Sequence, residues 1–248
     1  MTHQPPSSMT SKGWKFGKRL SVVVFGFLLA YTIVAYLVMP DWWKHYVRKH
    51  PTLENIPNIT YAADGAPGDP LNVALIGTKS DVIKGMLAAK WHPADPLSLK
   101  SSLEIAEATI LDRSYADAPV SNLFLFGRKE DLAFEQPVGD NPKKRHHVRF
   151  WHSQEKDPDG RPFWVGAGTY DERVGLSHTT GQITHHVAED VDTERDHIIA
   201  SLNQTGNLIE TYSEDNFHKT LTGKNGGGDP WKTDGKLKVG VIADMSSR

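Results

Sequence analysis

The sequence predicts an α+β protein, with a single N-terminal transmembrane helix followed by one globular domain whose largely antiparallel mixed sheet is packed by helices. Three observations predict this class. Residues 20–39 form a run of twenty residues without a charge. Strand-like runs between residues 122 and 170 are joined by short turns. Helix-capping patterns precede amphipathic segments at Thr78 and Thr193. The remaining length of about 200 residues fits one domain core.

The uncharged run predicts a membrane-spanning helix. At about 1.5 Å per residue it reaches roughly 30 Å, the thickness of the hydrocarbon layer of a bilayer. Trp14 precedes the run and Trp42 and Trp43 follow it, where indole rings favour the membrane interface. A cleaved signal peptide would have a shorter apolar core and a small-residue cleavage site, whereas Leu-Val-Met-Pro stands at 37–40. We therefore expect an uncleaved anchor.

The flanks of this helix predict its orientation. Basic residues stand on both sides in similar number, so the charge rule is nearly balanced. A short basic tail, one span and a long domain form the usual signal-anchor layout, which favours a single-pass protein of the inner (cytoplasmic) membrane with its C-terminal domain in the periplasm. The predicted domains are a cytoplasmic tail at 1–19, the transmembrane helix at 20–39, a tether at 40–68 and the α+β domain at 69–248.

Charge and cysteine content exclude several function classes. Every acidic residue lies after position 40, where 24 basic residues face 30 acidic ones, a net charge of −6. Such a balance is not typical of nucleic-acid binding, so no nucleic-acid partner is predicted. The chain has no cysteine, which excludes disulfides, thiolate metal sites and a cysteine nucleophile.

The elements of the domain follow from local patterns. Thr78 and Asp81 have the spacing of a capping box and precede apolar residues on one helical face. The same spacing recurs at Ser101 and Glu104, which predicts a helix over about 101–112, and at Thr193 and Asp196, ahead of a helix that ends at Gly206. The predicted strands are Leu71–Ile76, Asn122–Phe126, Leu132–Glu135, Arg145–Trp151, Phe163–Tyr170, Ile183–Val187, Leu208–Thr211 and Leu237–Ile242.

Histidines cluster in the second half of the domain. Seven of the twelve lie between His146 and His197. In the strand at 145–151, a period of two places Val148 and Phe150 on one face. His147, Arg149 and Trp151 fall on the other. The first face is the expected core, and the second is cationic with an aromatic edge.

The next strand is expected to place glycines beside these cations. A turn centred on 157–160 would set Arg149 across from Gly166 and His147 across from Gly168, with Phe163, Val165 and Ala167 on the Val148 face. The glycines would leave open space for an anionic or carbonyl-bearing ligand. Arg149 would bind it through two parallel hydrogen bonds, with Trp151 or Trp164 as a wall. The alternative is a solvated face whose glycines ease twist or a bulge.

The other histidines extend this hypothesis. His178, His185 and His186 could hold zinc with Asp171, or an imidazole could act as a general base; the alternative is that they are polar loop residues. No HExxH spacing is present, so we predict no metal site and no cofactor. The acidic alternation at 190–196 is interpreted as helix capping and not as a calcium loop. The catalytic candidates are His147 and His185, and the ligand-binding candidates are Arg149, Trp151, Trp164, Gly166, Gly168, Asp171 and His178.

Four stretches together resemble a known family: LFGRKEDLAFEQ at 125–136, RHHVRFW at 145–151, FWVGAGTYDERVGL at 163–176 and ITHHVAEDVDTERDHI at 183–198. In this order they resemble the LssY C-terminal domain family of bacterial envelope proteins, over about 69–206. Members are often membrane proteins, and the domain can accompany membrane-embedded phosphatase modules. The resemblance implies lipid phosphates or other envelope phosphoesters as a ligand class, although this chain has no multi-helix phosphatase. Polar and aromatic positions within the motifs are His147, Arg149, Trp151, Trp164, Asp171, His185, Asp192, Glu194 and Arg195.

The predicted function is therefore a membrane-anchored periplasmic domain that binds an envelope component or partner protein. The alternative is a membrane-proximal hydrolase of phosphoester or acyl ester substrates, in which Arg149 neutralises the anion and His147 or His185 transfers protons. The predicted partners are the lipid bilayer, through the single helix, and an envelope protein or anionic ligand.

Overall fold

A computed structural model describes residues 11–42, 53, 55–94, 122–139, 144–157, 159–181 and 183–245. The chain divides into two compact units, Met1–His50 and Pro51–Arg248. The helix predicted over about 101–112 lies outside the described residues.

The first unit contains the predicted apolar helix. Helix α1 spans Ser11–Ile33 and continues through a π-helical turn at Val34–Val38. The 24 residues Arg19–Trp42 are long and apolar enough to cross a membrane. Large apolar side chains along them are exposed, such as Phe27 at 74%, as expected for a helix that contacts lipid. The prediction of one membrane-spanning helix is thus supported by its length and composition.

The second unit is built on an eight-stranded mixed sheet, which confirms the α+β class. The strands run in the order β11, β14, β3, β9, β8, β7, β4, and β10 also pairs with β9. All neighbours are antiparallel except β14 and β3. The bounds are β3 Val73–Ile76, β4 His92–Pro93, β7 Leu132–Pro137, β8 Arg145–Lys156, β9 Pro162–Leu176, β10 Ile183–Val187, β11 Leu208–Glu214 and β14 Leu237–Ile242.

Two smaller sheets are also found among the described residues of this unit. One has the order β2, β1, β5, β6, and the other pairs β12 with β13. Strand β1 and the start of β2 lie within 40–68, the segment predicted to be a tether, and are hydrogen-bonded strands of this sheet. The bounds are β1 Ile59–Ala62, β2 Pro67–Pro70, β5 Leu123–Leu125, β6 Arg128–Lys129, β12 Thr222–Lys224 and β13 Pro230–Lys232.

Both faces of the large sheet are buried, which explains why β8 and β9 carry apolar residues on both sides. Val148 and Phe150 belong to a core with apolar residues of the helices at 79–88 and 191–204. Trp151 belongs to a second core on the opposite face, together with Phe163, Val165, Ala167 and apolar residues of β5 and β14. The predicted faces of β8 are confirmed, but Phe163, Val165 and Ala167 lie on the Trp151 face and not on the Val148 face.

This difference reflects a wrong register. Arg149 pairs with Ala167 and His147 with Thr169, whereas Gly166 pairs with Phe150 and Gly168 with Val148. An irregularity between His152 and Lys156 changes the pairing. A shift of one residue moves every side chain of a strand to the other face. The two glycines therefore do not border Arg149.

The two helices that the structure describes in this unit are capped by their sequence. Helix α2 spans Lys79–Ala88, and Thr78 and Asp81 form the predicted capping box. Helix α3 spans Val191–Gln204 and begins earlier than predicted, because the Asp190 carboxylate accepts hydrogen bonds from the backbone N–H groups of Asp192 and Thr193. The acidic residues at this end therefore include a true N-cap, Asp190, which lies three positions before the predicted cap Thr193.

Candidate functional site

A cavity of about 400 Å³ opens on the face of the large sheet that is opposite the helices. Its floor is made by side chains of β8, β9 and β10, and its walls by the β1–β2 hairpin, the start of β5 and the loop at 225–227. The polar lining side chains are Asp64, Asp69, Asn122, His147, Arg149, Thr169, Asp171, Ser177, Thr180, Thr184, His185 and Asn225. This volume is within the range of small-molecule pockets.

His147 lies on the floor of the cavity and is only 2% exposed. Burial lowers the pKa of this imidazole well below its ordinary value, and the charges of Arg149, Arg145 and His185 lower it further. The ring is therefore neutral at pH 7, with one nitrogen able to donate and the other able to accept a hydrogen bond. The His147 side chain is thus a neutral hydrogen-bonding group inside a polar cavity.

Arg149 is the second buried group and is 4% exposed. Its Nη1 lies 3.6 Å from Oδ2 of Asp69, which is longer than a direct N–H···O hydrogen bond. Burial raises the pKa of the Asp69 carboxyl, while Arg149 and a hydrogen bond from Asn225 act in the opposite direction. The Asn225 amide donates this bond to Oδ1 of Asp69 at 3.2 Å. The guanidinium therefore has a carboxyl neighbour that ionises less readily than usual.

A charged network supports the other end of the floor. Arg145 donates from Nε to Asp171 and from Nη1 to Glu135, each at 2.9 Å. Nδ1 of His185 lies 3.4 Å from Oδ2 of Asp171. Burial raises the pKa of Glu135, and the neighbouring Arg145 opposes that shift. Since Arg145 bonds two carboxylates through separate guanidinium nitrogens, this end of the cavity is held in a fixed geometry.

The structure brings together four of the predicted site residues and separates the other five. His147, Arg149, Asp171 and His185 all line the cavity. Trp151 packs in the core with its indole N–H donating to Arg128 O at 3.3 Å. Trp164 lies on the helix face and donates to Gly77 O at 3.0 Å. Neither indole is a cavity wall.

The two glycines are also not part of the cavity lining. A Cβ at Gly166 would lie 2.7 Å from the Phe150 ring, and one at Gly168 would lie 2.4 Å from Cδ1 of Ile198. They are therefore close-packing positions of the helix-side core and provide no open space near Arg149. His178 is largely exposed and lies beside Asp229, outside the lining residues.

Sequence reasoning missed several lining residues, chiefly Asp69 and Asn225 of the walls and Thr169 of the floor. Asp69 and Asn225 are 156 positions apart in the chain, and neither belongs to a recognisable catalytic motif. Thr169 was missed because the one-residue error in register placed it on the wrong face. Only the correct pairing of β8 with β9 could have found it.

Two residues of the family motifs have structural partners elsewhere. Glu194 lies with Oε2 2.7 Å from His146 Nδ1 on the helix face, and burial raises the pKa of its carboxyl. Arg195 donates to Asp234 at 2.7 Å and to Asp192 at 2.9 Å. Burial lowers the pKa of Arg195, but its hydrogen bonds to carboxylates outweigh this effect and raise the pKa above its ordinary value. These contacts join α3 to its neighbours and lie away from the cavity lining.

Fold and site together define a class: an α+β domain with a polar cavity of buried ionisable side chains, in a chain that also has one helix long enough to cross a membrane. The cavity can bind a ligand through hydrogen bonds and ion pairing, and its neutral imidazole can accept a proton. Comparison with protein families identifies the chain within this class. The sequence model of the LssY C-terminus family matches residues 53–237.

The chain therefore belongs to the LssY C-terminus family, as its motifs indicated. Comparison with curated proteins and with solved structures gives no match.

Proposed function

We propose that this protein is a single-pass protein of the bacterial inner membrane that holds its α+β domain in the periplasm. The cavity of this domain binds an anionic or carbonyl-bearing group of an envelope component or partner protein. The observation that supports this most is the placement of Arg149 and His147 side by side on the floor of a 400 Å³ cavity. Both side chains are almost fully buried.

Arg149 faces Asp69 across 3.6 Å. An anionic group entering the cavity would meet Arg149 through charge-assisted and bidentate hydrogen bonds. Because burial raises the pKa of Asp69, protonation of this carboxyl on ligand entry would remove the competing charge.

The neutral state of His147 suits the same ligand. An imidazole without charge can donate to a phosphate or carbonyl oxygen and does not add a second buried cation beside Arg149. The hydroxyls of Thr169 and Thr184 line the same space and supply further hydrogen-bonding groups. A phosphoester or carboxylate group therefore fits the cavity chemistry better than an apolar ligand does.

Binding is tested with the full chain in detergent micelles, titrated by calorimetry with inorganic phosphate and with glycerol phosphate. Replacement of Arg149 by Gln should weaken binding at least about tenfold, since a charge-assisted hydrogen bond contributes roughly 1.5–3 kcal/mol. Arg173→Gln is the matched control, because Arg173 is an exposed residue of β9 outside the cavity lining. Equal affinities of Arg149→Gln and wild type would refute the binding site.

A second candidate function is hydrolysis of a phosphoester or acyl ester close to the membrane. It is favoured by one observation, the placement of His147 and the His185–Asp171 pair in the same cavity as Arg149. A carboxylate that orients an imidazole is a recurring element of general base catalysis. Turnover of nitrophenyl phosphate or nitrophenyl acetate that disappears in His147→Gln would establish the hydrolase, whereas binding without turnover would establish the binding module.

The orientation has its own test. Alkaline phosphatase fused after Arg248 should be active in cells, because that enzyme matures only in the oxidising periplasm. Activity of a fused cytosolic reporter at the same position would contradict the proposed topology and would leave the cavity chemistry unaffected.

A further inference from the structure

Two histidines and an aspartate converge beside the cavity. The ligand-type atoms of His178, His186 and Asp229 all lie within 4.8 Å of one another. His186 Nδ1 is 2.6 Å from Oδ1 of Asp229, and His178 Nε2 is 3.7 Å from that oxygen. Two imidazoles and one carboxylate therefore face a common point.

The surrounding backbone orients this carboxylate. Asp229 accepts a hydrogen bond at Oδ2 from the N–H of Val187, so its other oxygen faces the imidazoles. The backbone N–H of Asp229 donates to Oδ1 of Asn225 at 3.0 Å. A carboxylate held by a second layer of hydrogen bonds is typical of metal ligands.

Close contacts with glycines also place the two histidines. The His186 ring lies directly over Gly175, where a Cβ would be 2.8 Å from Nε2. His178 donates its backbone N–H to Gly227 O at 2.9 Å, and Gly228, with φ +87°, approaches its Cβ so closely that an added Cβ would lie 2.8 Å away. These two glycines therefore permit the approach of the histidines to Asp229.

The geometry points to a binding site for a divalent first-row metal ion, Zn²⁺ in particular, formed by His178, His186 and Asp229. Tetrahedral zinc with ligands at about 2.0–2.1 Å separates neighbouring ligand atoms by roughly 3.3 Å. The observed 2.6 and 3.7 Å separations lie on either side of this value. Each of these two pairs is within an ångström of that separation, and the two imidazole nitrogens lie within 4.8 Å of each other. A bound ion would replace the short His186–Asp229 hydrogen bond.

The site has access and an open coordination position. Asp229 and His186 are buried, while the side chain of His178 is 57% exposed, so an ion can reach the cluster from solvent. Three protein ligands leave the fourth position of zinc to water. Two histidines and one carboxylate also suit iron(II), but zinc exceeds iron(II) in the general affinity order for such ligands.

Each ligand is next to a part of the cavity wall. Ser177 precedes His178, and Thr180 lies two positions after it. His185 and Val187 flank His186, and the loop at 225–227 lies just before Asp229. Bound zinc would thus tie three chain segments that form one side of the cavity. The proposal does not depend on the cavity ligand, because its evidence is the His178–His186–Asp229 geometry alone.

The test measures Zn²⁺ binding to the full chain, purified in detergent without a polyhistidine tag and treated with a chelator. Calorimetry should give one Zn²⁺ per chain, and Co²⁺ should give the visible absorption of a site of low coordination number. His178→Ala should weaken Zn²⁺ binding at least about tenfold, since even the loss of a group that only orients a ligand costs that much. His178 is exposed, so this variant should fold normally.

Two further variants sharpen the result. His92→Ala removes an exposed histidine on β4 and should leave the Zn²⁺ affinity unchanged. Asp229→Asn keeps the shape of the side chain but removes its charge, and should weaken binding as His178→Ala does. Hydrogen exchange at residues 225–228 should slow on Zn²⁺ addition in the wild type only.

Absence of stoichiometric Zn²⁺ binding by the wild type would overturn the proposal. So would a wild-type affinity in both His178→Ala and Asp229→Asn. In either case the three residues would be a hydrogen-bonded cluster that joins β10 to the loop at 225–228.

Discussion

Replacement of His147 by Gln tests whether the cavity floor carries a neutral imidazole. Gln keeps a donor and an acceptor at this position and cannot gain a proton in the same pH range. In the wild type, burial and the charges of Arg149 and Arg145 lower the pKa of His147 well below 6.5. In the unfolded chain the same imidazole titrates near its ordinary value.

The sign of the pH effect follows from this difference. Below pH 6.5 the unfolded chain binds a proton that the folded state does not, so the wild type loses stability as the pH falls. If the folded state stays neutral down to pH 5.5, one such site lowers the free energy of unfolding by about 1.4 kcal/mol between pH 7.5 and 5.5. The stability advantage of the wild type over His147→Gln should therefore shrink by about this amount.

The assay is urea unfolding of the full chain in detergent micelles at pH 7.5, 6.5 and 5.5, followed by near-ultraviolet circular dichroism. Groups other than His147 titrate in both proteins, and the difference between the two curves removes their contribution. Parallel curves across this pH range would refute the reasoning, because they would mean that His147 accepts a proton in the folded protein as readily as in the unfolded chain.

Two further predictions concern the helix side of the sheet. Gly168→Ala should destabilise the fold by about 1–3 kcal/mol, because its Cβ would lie 2.4 Å from Cδ1 of Ile198. The control Gly227→Ala should be neutral, because no atom would lie closer than 3.4 Å to its Cβ. Thermal unfolding compares the two variants, and equal stabilities would contradict the observed register. Asn72→Ala should lower the free energy of unfolding by at least about 3 kcal/mol. The Asn72 amide donates hydrogen bonds to Gly168 O and Val191 O and accepts one from Gly168 N. A smaller loss in urea unfolding would show that water replaces these bonds.

Local patterns predicted the elements whose cause is local. The capping box of Thr78 and Asp81 was predicted because both partners lie within one helical turn. The two faces of β8 were predicted because a strand alternates with a period of two. The strands Ile183–Val187 and Leu237–Ile242 have the predicted bounds.

The register of β8 and β9 was not predictable by the same reasoning. It depends on an irregularity between His152 and Lys156, and no glycine or proline marks that segment. The error moved Gly166 and Gly168 to the Arg149 face and so produced an incorrect reason for open space there. A bulge changes which side chains share a face without changing the apolar pattern of either strand.

The cavity itself was predictable only in part. His147 and Arg149 share a face of one strand, so their proximity follows from spacing alone. Their partners Asp69 and Asn225 come from distant segments that no sequence pattern connects. For the same reason, sequence reasoning grouped His178 and His186 with Asp171 and missed Asp229, which lies 43 positions beyond His186.

The proposal that the Arg149 cavity binds an anionic group of a cellular component is tested most directly by photo-crosslinking in the native cells. A photoreactive amino acid at Ala63, an exposed residue of the cavity rim, should give an adduct that disappears when Arg149 is replaced by Gln. The same probe at Ile209, which is 64% exposed and outside the lining residues, should give none of it. The absence of any adduct at Ala63, or an adduct that persists in Arg149→Gln, would contradict the account.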